Sequence, residues 1–250
     1  MKIEHPAPHH LPLLKQLWME AFEDTDAFVD RFYLVAFAPE RCLCVLKNDQ
    51  PVAVAYWFDV CFSEKKAAYV YAVATAKTHQ GQGICRNLMA QVQAHLAQKA
   101  YAGIILVPGD PGLREMYAKM GYADFGGIQE FSCAASGTPL SITQIPLDEY
   151  AALRAMLLPE DGVVQEGANL DFLKQFYRFY RTDAHVFAAA STGCELFAAE
   201  LLGDPTAAPG ILAAFGVPSG VFRIPGQTPF AMYHSLDGQA APSYFAFAFD

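Results

Sequence analysis

Positive charge is scarce in this chain: Lys and Arg number 17 against 26 Asp and Glu, a formal charge of −9. The only dense basic spot is Lys65-Lys66, so the stripe of cations that would neutralise many phosphates is missing and nucleic acid is excluded as a partner. An acidic surface instead favours a cationic small molecule or amine. The six cysteines, at 42, 44, 61, 85, 133 and 194, form no Cys-x-x-Cys pair and have no histidine at metal-ligand spacing, which argues against a zinc site or a disulfide framework and fits a reducing cytoplasm. The first residues lack the apolar core of a signal peptide, and no apolar run reaches about 18 residues without polar interruption. The expectation is a chain neither exported by that route nor membrane-spanning. What is abundant is apolar side chain, 53% of residues with only 17% charged, enough for a large packed core.

Periodicity organises that material. Leu13, Leu14, Leu17, Trp18 and Phe22, then Phe28, Phe32 and Tyr33, recur at helical spacing on either side of the acidic break 23–26. Residues 42–46 and 52–58 read as strands around a polar turn, and Cys42 and Cys44 alternate with apolar neighbours as small hydrophobes of one strand face. Strands are also predicted over 69–75, 103–107 and 130–135, with helices over 84–99 and 113–120, the latter closed by Gly121 at a left-handed cap. A Ser/Thr/Gly/Pro-rich passage follows, so the expected domains are 1–136 and 137–250. In the second, helices are predicted over 147–158 and 169–180 and strands over 186–190, 195–202, 230–234 and 244–249. Phe28, Phe32 and Tyr33 return as Phe172, Phe176 and Tyr177, an offset of 144 (172 minus 28). The second domain is therefore expected to be a reduced copy of the first. The fold class is α/β, of the α+β mixed-sheet kind.

One segment carries chemistry. Gln80-Gly81-Gln82-Gly83-Ile84-Cys85-Arg86 joins the strand over 69–75 to the helix over 84–99. A glycine-rich turn running into a helix offers several main-chain N–H groups to a pyrophosphate without side chains in the way. A dinucleotide fingerprint would need glycine at position 86, where arginine stands, and a P-loop would need Gly-Lys-Ser/Thr. Neither fits.

The turn resembles the acetyl-coenzyme A signature of the GNAT superfamily, Q/R-x-x-G-x-G/A at a strand-to-helix junction, with Gln80, Gly83 and the small Cys85 in its fixed places. Residues 78–86 look most like the enhanced-intracellular-survival type. The resemblance covers residues 13–136 in order of elements, and 73–86 and 116–122 at motif level. It implies a GNAT fold with acetyl-coenzyme A as co-substrate. Main-chain groups of Val73, Ala74 and Thr75 would pair with the pantetheine arm, and Gln80, Gly81, Gln82, Gly83, Ile84, Cys85 and Arg86 would hold the pyrophosphate. Arg86 can equally be a solvated helix-face charge, and Thr75 simply a strand residue. Residues 116–122 resemble the family's Tyr-x-x-x-Gly-aromatic helix end, which implies Tyr117 as the acid that protonates the departing thiolate. Its other reading is a half-buried core tyrosine.

The general base is not identified by sequence. Glu23, Asp24 and Asp26 lie where this family places acceptor contacts, although Asp24 or Thr25 can be a helix cap. The Asp250 carboxylate is a further candidate, since survival-type enzymes use their C-terminus this way. His9 and His10 read as solvated. The implied function is N-acetyl transfer from acetyl-coenzyme A to a small or peptidic amine by direct attack. The alternatives are a coenzyme A-binding regulator and an acyltransferase with a different donor.

Overall fold

The structure, a computed structural model, describes residues 1–248. The first half runs β1 (Lys2–Glu4), α1 (Leu11–Phe22), α2 (Asp26–Val35), β2 (Cys42–Lys47), β3 (Gln50–Phe62), β4 (Lys65–Thr75), α3 (Ile84–Gln98), β5 (Gly103–Leu106), α4 (Pro111–Ala118) and β6 (Ala123–Ala134). The second runs β7 (Thr143–Gln144), α5 (Leu147–Leu157), β8 (Val164–Gln165), α6 (Ala168–Leu173), β9 (Arg178–Arg181), β10 (Val186–Ser191), β11 (Glu195–Leu202), α7 (Ala208–Phe215), β12 (Ser219–Pro225) and β13 (Thr228–Ser235). Among the described residues no helix is long and apolar enough to cross a membrane.

Strand alternation sorts the apolar side chains onto two faces. On β3, Val54, Tyr56, Phe58 and Val60 join Leu14, Leu17, Trp18, Val29 and Phe32 of α1 and α2. Ala53, Ala55 and Trp57 face the other way, toward Leu88, Met89, Val92 and Leu96 of α3. Cys42 and Cys44 are free, fully buried and on the α1/α2 face, as their spacing predicts. A helix layer therefore covers each side of the first half of the sheet.

The strand order is β1-β2-β3-β4-β5-β13-β6-β12-β11-β10-β9-β7, with β8 paired to β3. Sequence order does not reveal the key insertion: β13, from near the C-terminus, lies antiparallel between β5 and β6. One sheet thus runs through both halves of the chain. Close approach there demands glycine. A Cβ on Gly103 would fall 2.2 Å from the ring of Tyr233, whose hydroxyl donates to the Ala102 carbonyl and whose ring packs against Phe62 and Phe125. Gly103→Ala is expected to destabilise the protein by about 2 kcal/mol, an overpacking cost, read as a lower urea midpoint at unchanged slope.

In the second half, the helix predicted over 169–180 is instead α6 followed by β9, because the backbone of 178–181 pairs with β10 and strand pairing overrides the helical spacing. Residues 244–248 form no strand, while β12 and α7 were not anticipated. Strand β10 (Val186–Ser191) lies at the 144-residue offset from β2 (Cys42–Lys47) at both ends, whereas Phe176 and Tyr177 fall beyond the end of α6 at Leu173 while Phe32 and Tyr33 lie within α2. Strands β11 and β12 are parallel with α7 between them, as β4 and β5 are with α3 between them.

Candidate active site

The site is built where two parallel strands separate. Strands β4 and β5 pair only from Ala67↔Gly103 to Tyr69↔Ile105. Beyond Tyr69, β4 carries a bulge: its register on β3 passes from Tyr71↔Tyr56 to Ala74↔Val54, and Ala72 takes φ +52. A non-glycine residue in that region is held by its surroundings at some cost, and a bulge re-aims the main chain beside it. The result is a cleft of about 600 Å³ between the splayed strands. Tyr71, Ala72 and Val73 line one side, and residues 106–110 with Tyr117 line the other.

Strand β4 runs on toward the predicted turn, which is held by its own side chains. Gln80 Nε2 donates to the Thr75 carbonyl (3.1 Å) and Gln82 Nε2 to the Thr78 carbonyl (3.2 Å). The two glutamines thus shape the loop. Gly81 and Gly83 adopt φ +73 and +74, with open space where each Cβ would stand. Gly83 is also the N-cap of α3 and supplies no side-chain cap, so the first-turn N–H groups of the helix stay available to an anion. Ile84 turns its side chain into the core, leaving only its main chain for a ligand. Cys85 packs against that core, and burial pushes its thiol above the usual range, making it a weak nucleophile. Arg86 is exposed and makes no ion pair among the described residues. Open glycine space and free N–H donors are the features a pyrophosphate requires, so the segment fits coenzyme A. The corresponding approach to α7 differs, since Asp204 accepts from the Thr206 N–H and places a carboxylate there.

The other predicted residues fall unequally. Val73 lines the cleft, whereas Ala74 is buried in the core opposite Val54, and Thr75 pairs with Ala53. Tyr71 and Ala72 also line the cleft, beside a bulge that nothing local in the sequence announces. Tyr117 lines the cleft from α4, and its hydroxyl makes no hydrogen bond among the described residues. Burial, with smaller contributions from Cys85 and Tyr122, pushes the phenol well above the ordinary tyrosine range, so it remains a protonated donor at neutral pH. Gly121 has φ +87, the left-handed conformation its position predicts.

At the other end, Thr25 caps α2 by accepting from the Phe28 N–H, and Glu23 is the left-handed C-cap of α1. Asp24 is left to face the cleft, where its Oδ2 accepts from Trp18 Nε1 at 2.8 Å. Its charge contributes to the raised pKa of Tyr71, behind burial. Trp18, Phe22, Phe28 and Tyr177 surround this end, so the second half of the chain supplies part of the wall. Asp250 lies outside the described residues.

His9, His10 and Asp49 form the one group with metal-ligand spacing among the described residues. His10 is buried at 2% exposure, against the solvated reading, because its Nδ1 accepts from the Ala7 N–H at 3.1 Å. A neutral ring accepting at Nδ1 carries its proton on Nε2. That N–H donates to Asp49 Oδ1 at 3.2 Å, leaving no lone pair for a metal. The cluster clamps the segment before α1 to the β2–β3 turn.

Comparison with known proteins agrees with the geometry. Residues 11–122 match the acetyltransferase (GNAT) family. No curated protein matches the sequence. Solved structures share the fold: a GCN5-related N-acetyltransferase from Kribbella flavida (TM-score 0.72, 15% identity, 94% of this chain and 71% of that one) and another from Anabaena variabilis (0.75, 11%, 94% and 72%). Eis1 from Mycobacterium abscessus is also similar (0.69, 12%, 95% and 74%).

Proposed function

We propose, on the premise that residues 11–122 of this chain are a GNAT acetyltransferase-family domain, that the protein transfers the acetyl group of acetyl-coenzyme A to an amine by direct attack. The family uses acetyl-coenzyme A, which supplies an activated thioester carbonyl. The observation that carries the reading is the bulged, splayed β4 leading to an open glycine turn while the Tyr117 hydroxyl stands unpaired in the same cleft. Amides of residues 81–86 bind the pyrophosphate, and the main chain at 72–73, with Ala74 and Thr75 beside it, guides the pantetheine arm. Asp24 holds the acceptor as its ammonium and, through water, takes the proton that leaves when the amine becomes nucleophilic. The amine nitrogen then bonds to the carbonyl carbon, the carbon–sulfur bond breaks, Tyr117 gives its proton to the thiolate, and the surplus proton on the nitrogen leaves through water and restores the phenol. We place the acceptor among small or peptidic amines.

Residues 137–250 are proposed as a second unit, a reduced GNAT-like copy that lends β13 to the shared sheet between β5 and β6 and Tyr177 to the cleft. Release of free thiol from acetyl-coenzyme A with a panel of amines tests the activity. A thermal shift with coenzyme A but no thiol release from any amine would mark a binding protein instead, and release only with succinyl- or longer acyl-coenzyme A would change the donor.

The carboxylate at the acceptor end makes its own prediction. Asp24→Asn keeps the shape but removes the charge and the proton acceptor, so turnover should fall and the KM for the amine should rise about tenfold, the equivalent of about 1.4 kcal/mol of lost binding, with the KM for acetyl-coenzyme A unchanged. An unaltered acceptor KM would remove Asp24 from the site.

A further inference from the structure

A second pocket, of about 370 Å³, opens away from the cleft between β3, the start of β4 and the segment leading into α6. Arg41, Asp59, Cys61, Lys66, Glu166 and Asn169 line it. Two of its charges cancel one another. Lys66 Nζ is 3.2 Å from Asp59 and 4.4 Å from the Tyr101 ring centroid, and the Tyr101 hydroxyl donates to Asp59 at 2.5 Å. Among the described residues the remaining polar groups are only partly satisfied.

The most informative is Asn169, because the hydrogen-bond chain behind it settles which way its amide points. Arg154, paired with the buried Glu200, donates to Gln165 Oε1 at 3.0 Å. Gln165 Nε2 must then be the donor, and it bonds to the Phe247 carbonyl and to Asn169 Oδ1, each at 2.6 Å. The chain ends on Asn169 Nδ2, an amino group with 1% residue exposure and no acceptor. A buried donor in that state bears its full desolvation penalty unless something arrives to accept. Arg41 is the second case: one terminal nitrogen donates to the Ala36 carbonyl, its Nε has no acceptor, and it makes no ion pair among the described residues. Opposite in sign stands the exposed Glu166, whose one hydrogen-bond partner is the Cys61 thiol at 3.7 Å.

We propose that this pocket binds a small zwitterion, a free α-amino acid, with its carboxylate on Arg41 and Asn169 and its ammonium on Glu166. Two side chains with unused N–H donors, Arg41 Nε and Asn169 Nδ2, and one exposed carboxylate held only by a thiol complement such a ligand in both sign and number. The lining carries two cations and two carboxylates, so a net-neutral guest leaves the charge balanced. The volume holds a short side chain against Val60 and Ala168. The proposal is independent of the acyl-transfer reading, since none of these six residues lines the cleft.

Calorimetric titration of the full chain with each of the twenty amino acids is the test, with acetate and ethylamine as the separated halves. At least one small amino acid should bind saturably and unaffected by excess coenzyme A, while neither half binds comparably. Arg41→Met and Glu166→Gln should each weaken that binding at least tenfold. Glu166 is exposed, so its variant tests the idea even if the arginine variant folds poorly. Absence of saturable binding by any amino acid, an unchanged affinity in Glu166→Gln, displacement by coenzyme A, or acetate binding as tightly as the amino acid would each overturn the proposal.

Discussion

Replacing Gly83 by Asp should abolish the thermal shift that acetyl-coenzyme A produces while leaving a folded protein. The protein itself tolerates the side chain: nothing lies within 4 Å of where its Cβ would stand, and the residue sits at the surface. The cost to the fold is that of a non-glycine residue at φ +74, about 1 kcal/mol. The ligand would meet both a filled seat and a negative charge beside its pyrophosphate. That like-charge contact sits at the start of a helix whose free N–H groups otherwise favour an anion. A wild-type shift in the variant would show that coenzyme A binds elsewhere. Gly81→Asp provides an independent check, because φ +73 and the same open space recur two residues earlier.

Tyr117→Phe separates binding from chemistry. The variant keeps the ring's packing beside Tyr122, 5.6 Å away between centroids, and removes a hydroxyl that no described residue uses. Turnover should fall by roughly 10²-fold or more, with little change in the KM for acetyl-coenzyme A, because general-acid help contributes on that scale. The loss should shrink for a donor with a better thiol leaving group. The pH profile adds a signed expectation. Burial raises the phenol above its ordinary value of 10.0, so the proton-bearing form persists as pH rises, and this group should produce no alkaline fall in turnover below about pH 10. Near-normal turnover in the phenylalanine variant would assign Tyr117 to core packing.

Legibility in the sequence followed the range of the interaction. Turn glycines, cap residues and strand alternation are dictated within a few residues. Gly81, Gly83 and Gly121 accordingly adopt the left-handed conformations that their places require, and Cys42 and Cys44 share one buried face. The same locality made the glycine-rich turn readable, since a strand, two glycines and an amphipathic helix are contiguous. It misled for residues 169–180, where helical spacing was real but pairing of β9 with β10 prevailed.

The cleft was a tertiary decision. Its bulge at Ala72 depends on the register between β3 and β4, and its width on where β5 stops pairing with β4. Its lining brings Trp18 and Asp24 together with Tyr177, residues separated by more than half the chain. Of the three acidic candidates Glu23, Asp24 and Asp26, Asp24 is the one that lines the cleft. The buried network of Arg154, Glu200, Gln165 and Asn169 likewise has no local signature, because each member is satisfied only by groups brought from elsewhere in the fold. By itself the sequence determined what local backbone preference and side-chain period can encode: most elements of the first half, the left-handed glycine-rich turn and the face each strand buries. The insertion of β13 beside Gly103, the opening between β4 and β5 and which of the acidic residues 23, 24 and 26 faces the cleft were decided by the tertiary structure, because strand pairing across the chain depends on the competition among all the edges present.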